Sequence, residues 1–458
     1  MTLTQTVANW ALRVVDQVPA PRLERTRNLV ADSLAIGLAA AGRSDVASRA
    51  VNSVASGAFG DCRVLGTSRT LPPVQAAFAN ACLAHALDFD DTHDRARVHT
   101  TTVLFPTALA MAETVDAGGE RVLRAVTVGA ELMCRGALAA LATPGSRASS
   151  WYLTQLMGGV GAAITAGLVQ GLDDGGLVSA MGHAVDQASG VKASAHKGDA
   201  RAIYPGHAAA QGVTSAFLAS GGVRGASDPL EGDRGLWPTH LGAPAPEQLF
   251  LPEADAAWES DRVVVKPWPG CRATHPYIDA VRALPATITN HPEETEEVVV
   301  AVDSVAAGLC FPLEERRRPR TLAEAGFSVP FMVASALLGG GSVSLEGMTE
   351  ATLEDPAVLA LADRVVPDHR LLDGPGYARA EITVTHRGKA RHTAGSSSPT
   401  LTPSERADKF SACLAHGGWR HHEEELRTAV ANLASGPARN LLDTVQGFER
   451  SSDHHIHP

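Results

Sequence analysis

At 458 residues, the chain is longer than the length at which a single hydrophobic core normally stops growing, so we expect two domains. Its residues are 45% hydrophobic, 19% charged and only 5% aromatic, which is typical of a globular protein whose core is packed mostly with Ala, Leu and Val. The net charge of -11 without a Lys/Arg stripe argues against a nucleic-acid partner, and six scattered cysteines without a CxxC pair fit neither a disulfide framework nor a zinc or iron-sulfur site.

The N-terminal half of the chain predicts a series of buried helices. It begins without the basic segment and long apolar run of a signal peptide, and no stretch reaches ~18 uninterrupted apolar residues, so we expect a cytoplasmic protein without membrane contacts. Apolar residues then recur at helical spacing, as in "RLERTRNLVADSLAIGLAAA" at 22–41. Comparable segments rich in Ala, Leu, Val and Gly cover 73–87, 103–115, 119–142, 155–171, 175–190 and 206–220.

The character of the sequence changes near residue 262. Three short β-branched runs, "RVVVKPWPG", "EEVVVAVD" and "RAEITVTHRG", are bounded by Pro, Gly and charged residues and predict strands. Helical segments lie among them at 275–284 and 328–338. A last helical segment at 403–434 resembles the N-terminal part in composition and is interrupted by Gly417-Gly418.

These elements predict a mainly α fold with an α+β part. A large all-helical domain is built from both chain ends, 1–262 and 399–458, and a smaller α+β lid domain is inserted at 263–398. The closing "ERSSDHHIHP" is predicted to be disordered, with incidental histidines rather than metal ligands.

Four aspartates and three histidines are concentrated in "HALDFDDTHDRARVHTT" at 85–101. On a helix, Asp88, Asp91 and Thr92 would share one face at i, i+3 and i+4, while Asp90 would point elsewhere. Like charges that close raise one carboxyl pKa, which suits a group that holds or passes a proton near neutral pH. The alternative is a solvated acidic helix end, but the apolar segments on both sides favour burial.

The end of this stretch predicts an anion site. His99 and three threonines precede the helix that is predicted to start near Val103. Thr100 to Thr102 can cap this helix and leave N–H groups at its positive end, where a substrate carboxylate could dock.

A metal site is the alternative for the same stretch. His93-Asp94 spells the "HD" pair of all-helical metal phosphohydrolases, and Asp and His are common metal ligands. A match of two residues has a high false-positive risk, so we predict no metal.

A second chemical stretch, "VVVKPWPGCRATHPYIDA", contains one of only five lysines in the chain. Lys266 precedes Pro267, which biases it to an extended, turn-like backbone, and Thr274 can N-cap the helix that follows. Lys266, Arg272 and His275 together form a cationic loop. Its position at the predicted domain junction favours a site over a plain surface turn.

The glycine-rich run "GGVGAA" does not follow a predicted strand and lacks an acidic residue about twenty positions further on. It therefore indicates close packing of two helices rather than a dinucleotide-binding turn.

Taken in order, six segments resemble one known family over nearly the whole chain: "FANACLAHALDFDDTH", "GGVGAAITAGLVQGLD", "GHAAAQGV", "KPWPGCRATHPYIDA", "AEAGFSVPFMVASALL" and "SERADKFSAC". The family is that of 2-methylcitrate dehydratase and cis-aconitate decarboxylase, also called MmgE/PrpD. The resemblance implies a homodimer of two-domain subunits, an active site between the helical domain and the lid, and no metal or organic cofactor.

The resemblance also implies site residues. Asp88, Thr92 and His99 match the family's active-site segment, although one more residue separates Thr92 from His99 in this chain, and Lys266 matches the family's loop lysine. We predict that His99 and Asp88 move a proton and that Lys266 and Arg201 hold substrate carboxylates.

Several positions depart from the family pattern. Tyr152 and Tyr204 stand where the family often has histidines, and Arg201 replaces a lysine. In the decarboxylase branch, a histidine and a tyrosine occupy the positions of Cys271 and Phe331. Arginine can hold a carboxylate with two parallel hydrogen bonds but cannot transfer a proton. The predicted substrate-binding residues are Thr92, Arg201, Tyr152, Cys271, His275 and Phe331.

We therefore predict a cofactor-independent lyase, a dehydratase or decarboxylase, that acts on a small carboxylic acid by general acid/base catalysis in an interdomain cleft. The altered positions indicate a substrate that is not citrate-like in the usual way. Two alternatives remain: an epimerase or isomerase that uses the same proton-transfer site, or a non-catalytic ligand-binding protein.

Overall fold

The computed structural model describes residues 1–194, 199–246, 249, 251–371, 373, 379–388, 390–396 and 400–446. Contacts divide the chain into two compact units. The first comprises Met1–Ala195, Ala200–Val265 and Arg406–Pro458, and the second comprises His196–Asp199 and Lys266–Glu405. The histidines of the C-terminal tail lie outside the described residues.

The first unit begins with helices and one short strand pair. Every helix predicted up to residue 220 is present, with ends within a few residues of the predicted ones. The helices are α1 (Leu3–Val15), α2 (Ala20–Arg43), α3 (Asp45–Ala55), α4 (Pro73–His85), α5 (Thr101–Val115), α6 (Gly119–Ala142), α7 (Leu153–Gln170), α8 (Asp174–Asp186) and α9 (Tyr204–Ser220). Strands β1 (Cys62–Arg63) and β2 (Thr70–Leu71) pair antiparallel between α3 and α4.

Helix α7 lies at the centre of this unit and packs on α5, α6, α8 and α9. The "GGVGAA" run is inside α7, where Gly161 faces α6 and Ala162 faces Gly212 of α9 so closely that a Cβ on Gly212 would overlap it. The prediction that these small residues let helices approach is confirmed, because a dinucleotide-binding turn would have to join a strand to a helix.

Helices α6 and α7 are long and apolar enough to cross a membrane by composition alone. However, 72% of the apolar window of α6 and 94% of that of α7 are buried inside the unit. Both helices therefore fit the core of a folded domain, which passes the same compositional test.

The second unit combines short helices with a four-stranded sheet. The helices are α10 (His275–Arg282), α11 (Ala286–Thr289), α12 (Ser304–Gly308), α13 (Leu313–Arg317), α14 (Leu322–Gly326), α15 (Val329–Leu338), α16 (Glu350–Leu353) and α17 (Pro356–Asp363). The strands are β3 (Thr295–Ala301), β4 (Val365–Asp368), β5 (Ala380–His386) and β6 (Ala390–Ser396).

The sheet has the order β4-β3-β5-β6, in which β3 pairs parallel with β4 and antiparallel with β5, and β5 pairs antiparallel with β6. Strand β5 alternates buried and half-buried side chains, and Val298 and Val300 of β3 join it in a core with α10 and α15. The predicted strands at β3 and β5 are confirmed. The predicted strand at 262–270 is wrong, because only Val264 pairs there, as an isolated bridge with Thr92.

Between residues 400 and 446, the structure describes three α-helices: α18 (Pro403–Gly417), α19 (Glu423–Ala431) and α20 (Arg439–Gln446). Helix α18 stops at the predicted glycine pair, where Gly418 has a φ of +81°. Glycine adopts this left-handed conformation without the steric cost of a Cβ.

Candidate active site

The segment between α4 and α5 is not helical. Helix α4 ends at His85, and Asp88 takes a φ of +46°, a left-handed conformation that short polar residues tolerate better than most. The chain then forms a backbone bridge from Thr92 to Val264. The prediction that Asp88, Asp91 and Thr92 share a helical face with Asp90 turned away is therefore wrong.

Asp90 is the carboxylate around which two histidines gather. Its Oδ2 atom lies 2.9 Å from Nδ1 of His85 and 3.2 Å from Nδ1 of His99, and the two rings are in an edge-to-face arrangement with centroids 4.9 Å apart. All three side chains are buried. Sequence reasoning missed His85 and Asp90, since a helical reading of "HALDFDD" hides the turn after His85 that brings them together.

The hydrogen-bond partners fix the tautomer of each ring. Nδ1 of His99 also lies 2.9 Å from the carbonyl oxygen of Asp91, which can only accept, so this nitrogen carries a proton and Nε2 carries the lone pair in the neutral ring. Nδ1 of His85 likewise donates to Asp90, and its Nε2 lies 3.1 Å from the hydroxyl of Tyr152, which donates to it. We call His85, Asp90, His99 and Tyr152 the Asp90 network.

The charges in the Asp90 network limit how many protons it holds. Burial raises the pKa of Asp90, but the charges of His85 and His99 and their hydrogen bonds outweigh this effect and hold the pKa well below its usual range. Two imidazolium rings 4.9 Å apart would repel by roughly 3 kcal/mol at an effective dielectric constant of about 20. One ionised Asp90 therefore favours one imidazolium at a time.

Asp91 caps helix α5. Its carboxylate accepts hydrogen bonds from the hydroxyls of Thr100 at 2.9 Å and Thr101 at 2.6 Å and from the backbone N–H of Thr101. Burial, reinforced by the charge of Asp90, raises the pKa of Asp91 to about 6 in spite of these bonds. The predicted docking place for a substrate carboxylate at this helix end is thus taken by the chain's own carboxylate.

Arg201 and Asp88 bind each other beside the Asp90 network. Nη2 of Arg201 donates to Oδ1 of Asp88 at 2.9 Å, and the side chains are 11% and 15% exposed. The guanidinium also lies 5.5 Å from the ring centroid of Tyr152. A substrate carboxylate that binds Arg201 must therefore compete with Asp88.

Tyr152 is the buried residue just before α7. Its backbone N–H donates to the carbonyl of Gly190 at 2.7 Å, and its ring lies 5.0 Å from that of Tyr204. Burial, opposed by the charge of Arg201, raises the pKa of Tyr152, so the phenol keeps its proton at neutral pH. Thr154, two residues on, accepts a hydrogen bond from the backbone N–H of His99 at 3.1 Å.

The remaining predicted residues belong to the second unit. The buried ammonium of Lys266 donates to the carbonyl of Gly270 at 3.1 Å, in a loop where Gly270 has a φ of +100°. His275 is fully buried, with Nδ1 at 3.5 Å from the guanidinium of Arg272. Thr274 precedes α10 without making a side-chain cap bond.

Cys271 and Phe331 have different surroundings within that unit. Cys271 is half-buried, and its backbone N–H donates to the carbonyl of Gly326 at 2.9 Å. Phe331 is in the hydrophobic core and is fully buried, with its backbone N–H capped by the hydroxyl of Ser328 at 3.0 Å.

The geometry does not favour the phosphohydrolase-type metal alternative. Nδ1 of His93 accepts from the backbone N–H of Ala96 at 3.0 Å, so its Nε2 donates to Glu259 at 3.1 Å and neither nitrogen is directed at a metal. Ligand atoms of His85, Asp88, Asp90 and His99 do lie within 4.8 Å of one another. Since Nδ1 of both these histidines carries a proton toward Asp90, the arrangement is that of a proton network, and a cation would have to displace those bonds.

Comparison with known proteins gives matches along most of the chain. The family profile of the MmgE/PrpD N-terminal domain matches residues 5–249, and that of the MmgE/PrpD C-terminal domain matches residues 268–435. A cis-aconitate decarboxylase of Aspergillus terreus is 25% identical over 393 residues, which cover 80% of this chain and 78% of that protein. The human cis-aconitate decarboxylase is 25% identical over 410 residues, with 84% and 78% covered. A cis-aconitate decarboxylase-like protein of Aspergillus oryzae is 25% identical over 399 residues, with 82% and 81% covered.

Proposed function

The chain belongs to the MmgE/PrpD family, and we propose that it is a cofactor-independent lyase that removes water or carbon dioxide from a small carboxylic acid by general acid/base catalysis. The similarity to cis-aconitate decarboxylases supports a lyase. At about a quarter identity, it does not fix the substrate, and the altered residues Tyr152 and Arg201 indicate one that differs from cis-aconitate.

The observation that carries the proposal is the buried carboxylate of Asp90 shared by two histidines. Both lyase reactions need a group that delivers a proton, to a leaving hydroxyl or to the carbon that loses carbon dioxide. His99 has its Nδ1 held by Asp90 and by the carbonyl of Asp91, so its Nε2 is the atom that exchanges a proton with the substrate. Asp90 stabilises the imidazolium form, as the carboxylate does in other His–carboxylate pairs.

The Arg201–Asp88 pair supports a carboxylate substrate. Guanidinium binds carboxylates with two parallel hydrogen bonds, and the pair is only partly exposed, so a substrate carboxylate can take over the place of Asp88 on Arg201. This exchange releases Asp88 as an ionised base close to the substrate. Lys266 lies in the other unit, and its part in the same reaction stays a prediction.

The test is turnover of a panel of small di- and tricarboxylates, including cis-aconitate and hydroxylated acids, followed by proton NMR in D2O. Loss of carbon dioxide or appearance of a new double bond supports the lyase, and His99→Ala should remove it. Deuterium incorporation into an acid that keeps its hydroxyl and carboxylate groups would instead identify an epimerase or isomerase. Failure of the wild-type protein to convert or exchange any acid that it binds would leave the non-catalytic alternative.

A further inference from the structure

We infer that Tyr152, His85 and Asp90 form a proton relay, in which Tyr152 is a second acid/base group that acts on the substrate together with His99. The inference rests on the proposed function and adds to it a catalytic residue, Tyr152, and two residues that act through it.

The hydrogen bonds of the relay run in one direction. The Tyr152 hydroxyl lies 3.1 Å from Nε2 of His85, and Nδ1 of the same ring lies 2.9 Å from Oδ2 of Asp90. Because the Asp90 carboxylate can only accept, His85 carries its proton on Nδ1 and receives the phenol proton on Nε2. The Tyr152 oxygen also has the side chain of Thr154 as a hydrogen-bond partner, and its remaining lone pair can accept a proton from the substrate.

The protons balance in the following way. Tyr152 accepts a proton from a C–H bond of the substrate, whose electron pair stays on the substrate, while the original phenol proton passes to Nε2 of His85. His85 becomes an imidazolium beside Asp90. His99 starts as the imidazolium and gives its Nε2 proton to the leaving hydroxyl of a dehydration. One imidazolium lies next to Asp90 before and after the step, so no new charge is buried.

A decarboxylation would use one half of this sequence, the delivery of a proton from His99 to the carbon that loses carbon dioxide. An epimerisation would use both ends at one carbon. The relay is thus compatible with each reaction that the proposed function leaves open, and the product decides between them.

The surroundings of Tyr152 suit this role. Its ring is held between Arg201, at 5.5 Å from the guanidinium, and the ring of Tyr204. The ionisable groups that face it are Arg201, Asp88 and Asp90 besides His85. Arg201 is a permanent cation that stabilises a phenolate-like oxygen while the proton moves.

A second observation, on Asp90, indicates that the Asp90 network binds a hydrogen-bond donor of the substrate. Its Oδ1 atom is buried and, within the part of the chain that the structure describes, has no hydrogen-bond partner. A buried carboxylate oxygen without a donor is unfavourable, so a substrate hydroxyl or water is expected at this atom.

The kinetic test uses cis-aconitate and the acids of the same panel with three variants and a control. Tyr152→Phe and His85→Gln should each lower kcat by about 100-fold or more with KM changed less than about threefold. The double variant should be no slower than the slower single variant, because residues that act as one unit are not additive. His85→Gln keeps an acceptor for the Tyr152 hydroxyl but cannot take its proton.

The control is Tyr277→Phe, which removes the hydroxyl of another buried tyrosine that donates to a backbone carbonyl, that of Ala301, at 2.7 Å. It should leave kcat within about twofold of the wild-type value. Its effect on the free energy of unfolding should be similar to that of Tyr152→Phe. Two outcomes would overturn the relay, provided that the wild-type enzyme turns over an acid of the panel. The first is a Tyr152→Phe variant with the full wild-type kcat. The second is a double variant whose loss of kcat is the product of the two single losses. A wild-type protein that is inactive on the whole panel would instead contradict the proposed function.

A second measurement does not depend on turnover. Nitrogen-15 NMR of histidine-labelled protein should show His85 with a protonated Nδ1 and an accepting Nε2, and Tyr152→Phe should shift the Nε2 signal. A proton on Nε2 of resting His85, or an Nε2 signal that Tyr152→Phe leaves unchanged, would overturn the relay.

Discussion

Lys409→Met is expected to destabilise the first unit by about 3–5 kcal/mol. The Lys409 ammonium lies 2.8 Å from Oδ1 of Asp32, and the two side chains are 4% and 9% exposed. At this distance the attraction is about 6 kcal/mol for an effective dielectric constant of about 20, and the desolvation of both ions offsets much of it. Removing only the ammonium leaves the desolvation cost of Asp32 and takes a donor from the carbonyl of Phe89, 2.8 Å away.

The assay is urea unfolding followed by circular dichroism, with hydrogen exchange measured in α18 so that the first unit is followed separately. Arg13→Met is the matched control, since its pair with Glu253 is 3.0 Å long but 51% and 66% exposed, and it should cost less than about 1 kcal/mol. The double variant Asp32→Leu/Lys409→Met should be more stable than Lys409→Met. Equal losses in Lys409→Met and Arg13→Met would refute the reasoning.

Three further predictions concern the site and the assembly. His99→Ala should lower kcat by about 100 to 10,000-fold with little change in KM, whereas Lys266→Ala should also raise KM, as steady-state kinetics will show. Because the pKa of Asp91 is raised, its carboxyl group binds a proton more tightly in the folded protein than in the unfolded chain. The resulting stabilisation is full below about pH 4 and is lost as the pH rises through about 6. Asp91→Asn should therefore reduce the fall in melting temperature between about pH 4 and 6. Activity should survive EDTA, elemental analysis should find no stoichiometric metal, and light scattering should give a dimer at micromolar concentrations; one firmly bound metal ion per chain, or a monomer, would contradict these expectations.

The helices of the first unit could be predicted because each buries an apolar face of regular period between clear breaks. Strands β3 and β5 were equally readable, since both are β-branched and bounded by turn residues. Strands β4 and β6 were missed because they depend on pairing with those two strands: β4 contains a proline, and β6 carries polar and small residues. The run at 262–270 has β propensity, but among the described residues it has no neighbouring strand and forms only one bridge, from Val264 to Thr92.

The site was only partly readable. The sequence predicted four residues of one cluster, Asp88, His99, Tyr152 and Arg201. However, it predicted that Asp90, the carboxylate next to His99, points away from the site. The cause is local: a helical period was applied to a segment that leaves the helix after His85. Such a turn is set by long-range contacts, in this case the pairing of Thr92 with Val264 and the hydrogen bond that the backbone N–H of His99 donates to Thr154. No local pattern reveals these contacts.

Two altered positions, one in the Asp90 network and one beside it, change the site in the same direction. The resemblance to the family implies a histidine and a lysine at the positions where this chain has Tyr152 and Arg201. A phenol carries no positive charge and a guanidinium does not release its proton, so both replacements remove a titratable cation from the site. The groups that can hold a proton as a cation beside Asp90 are then His85 and His99, and the Tyr152 hydroxyl only passes a proton to His85. Replacing either histidine should accordingly change the pH dependence of turnover, which pH–rate profiles of His85→Gln and His99→Ala will show.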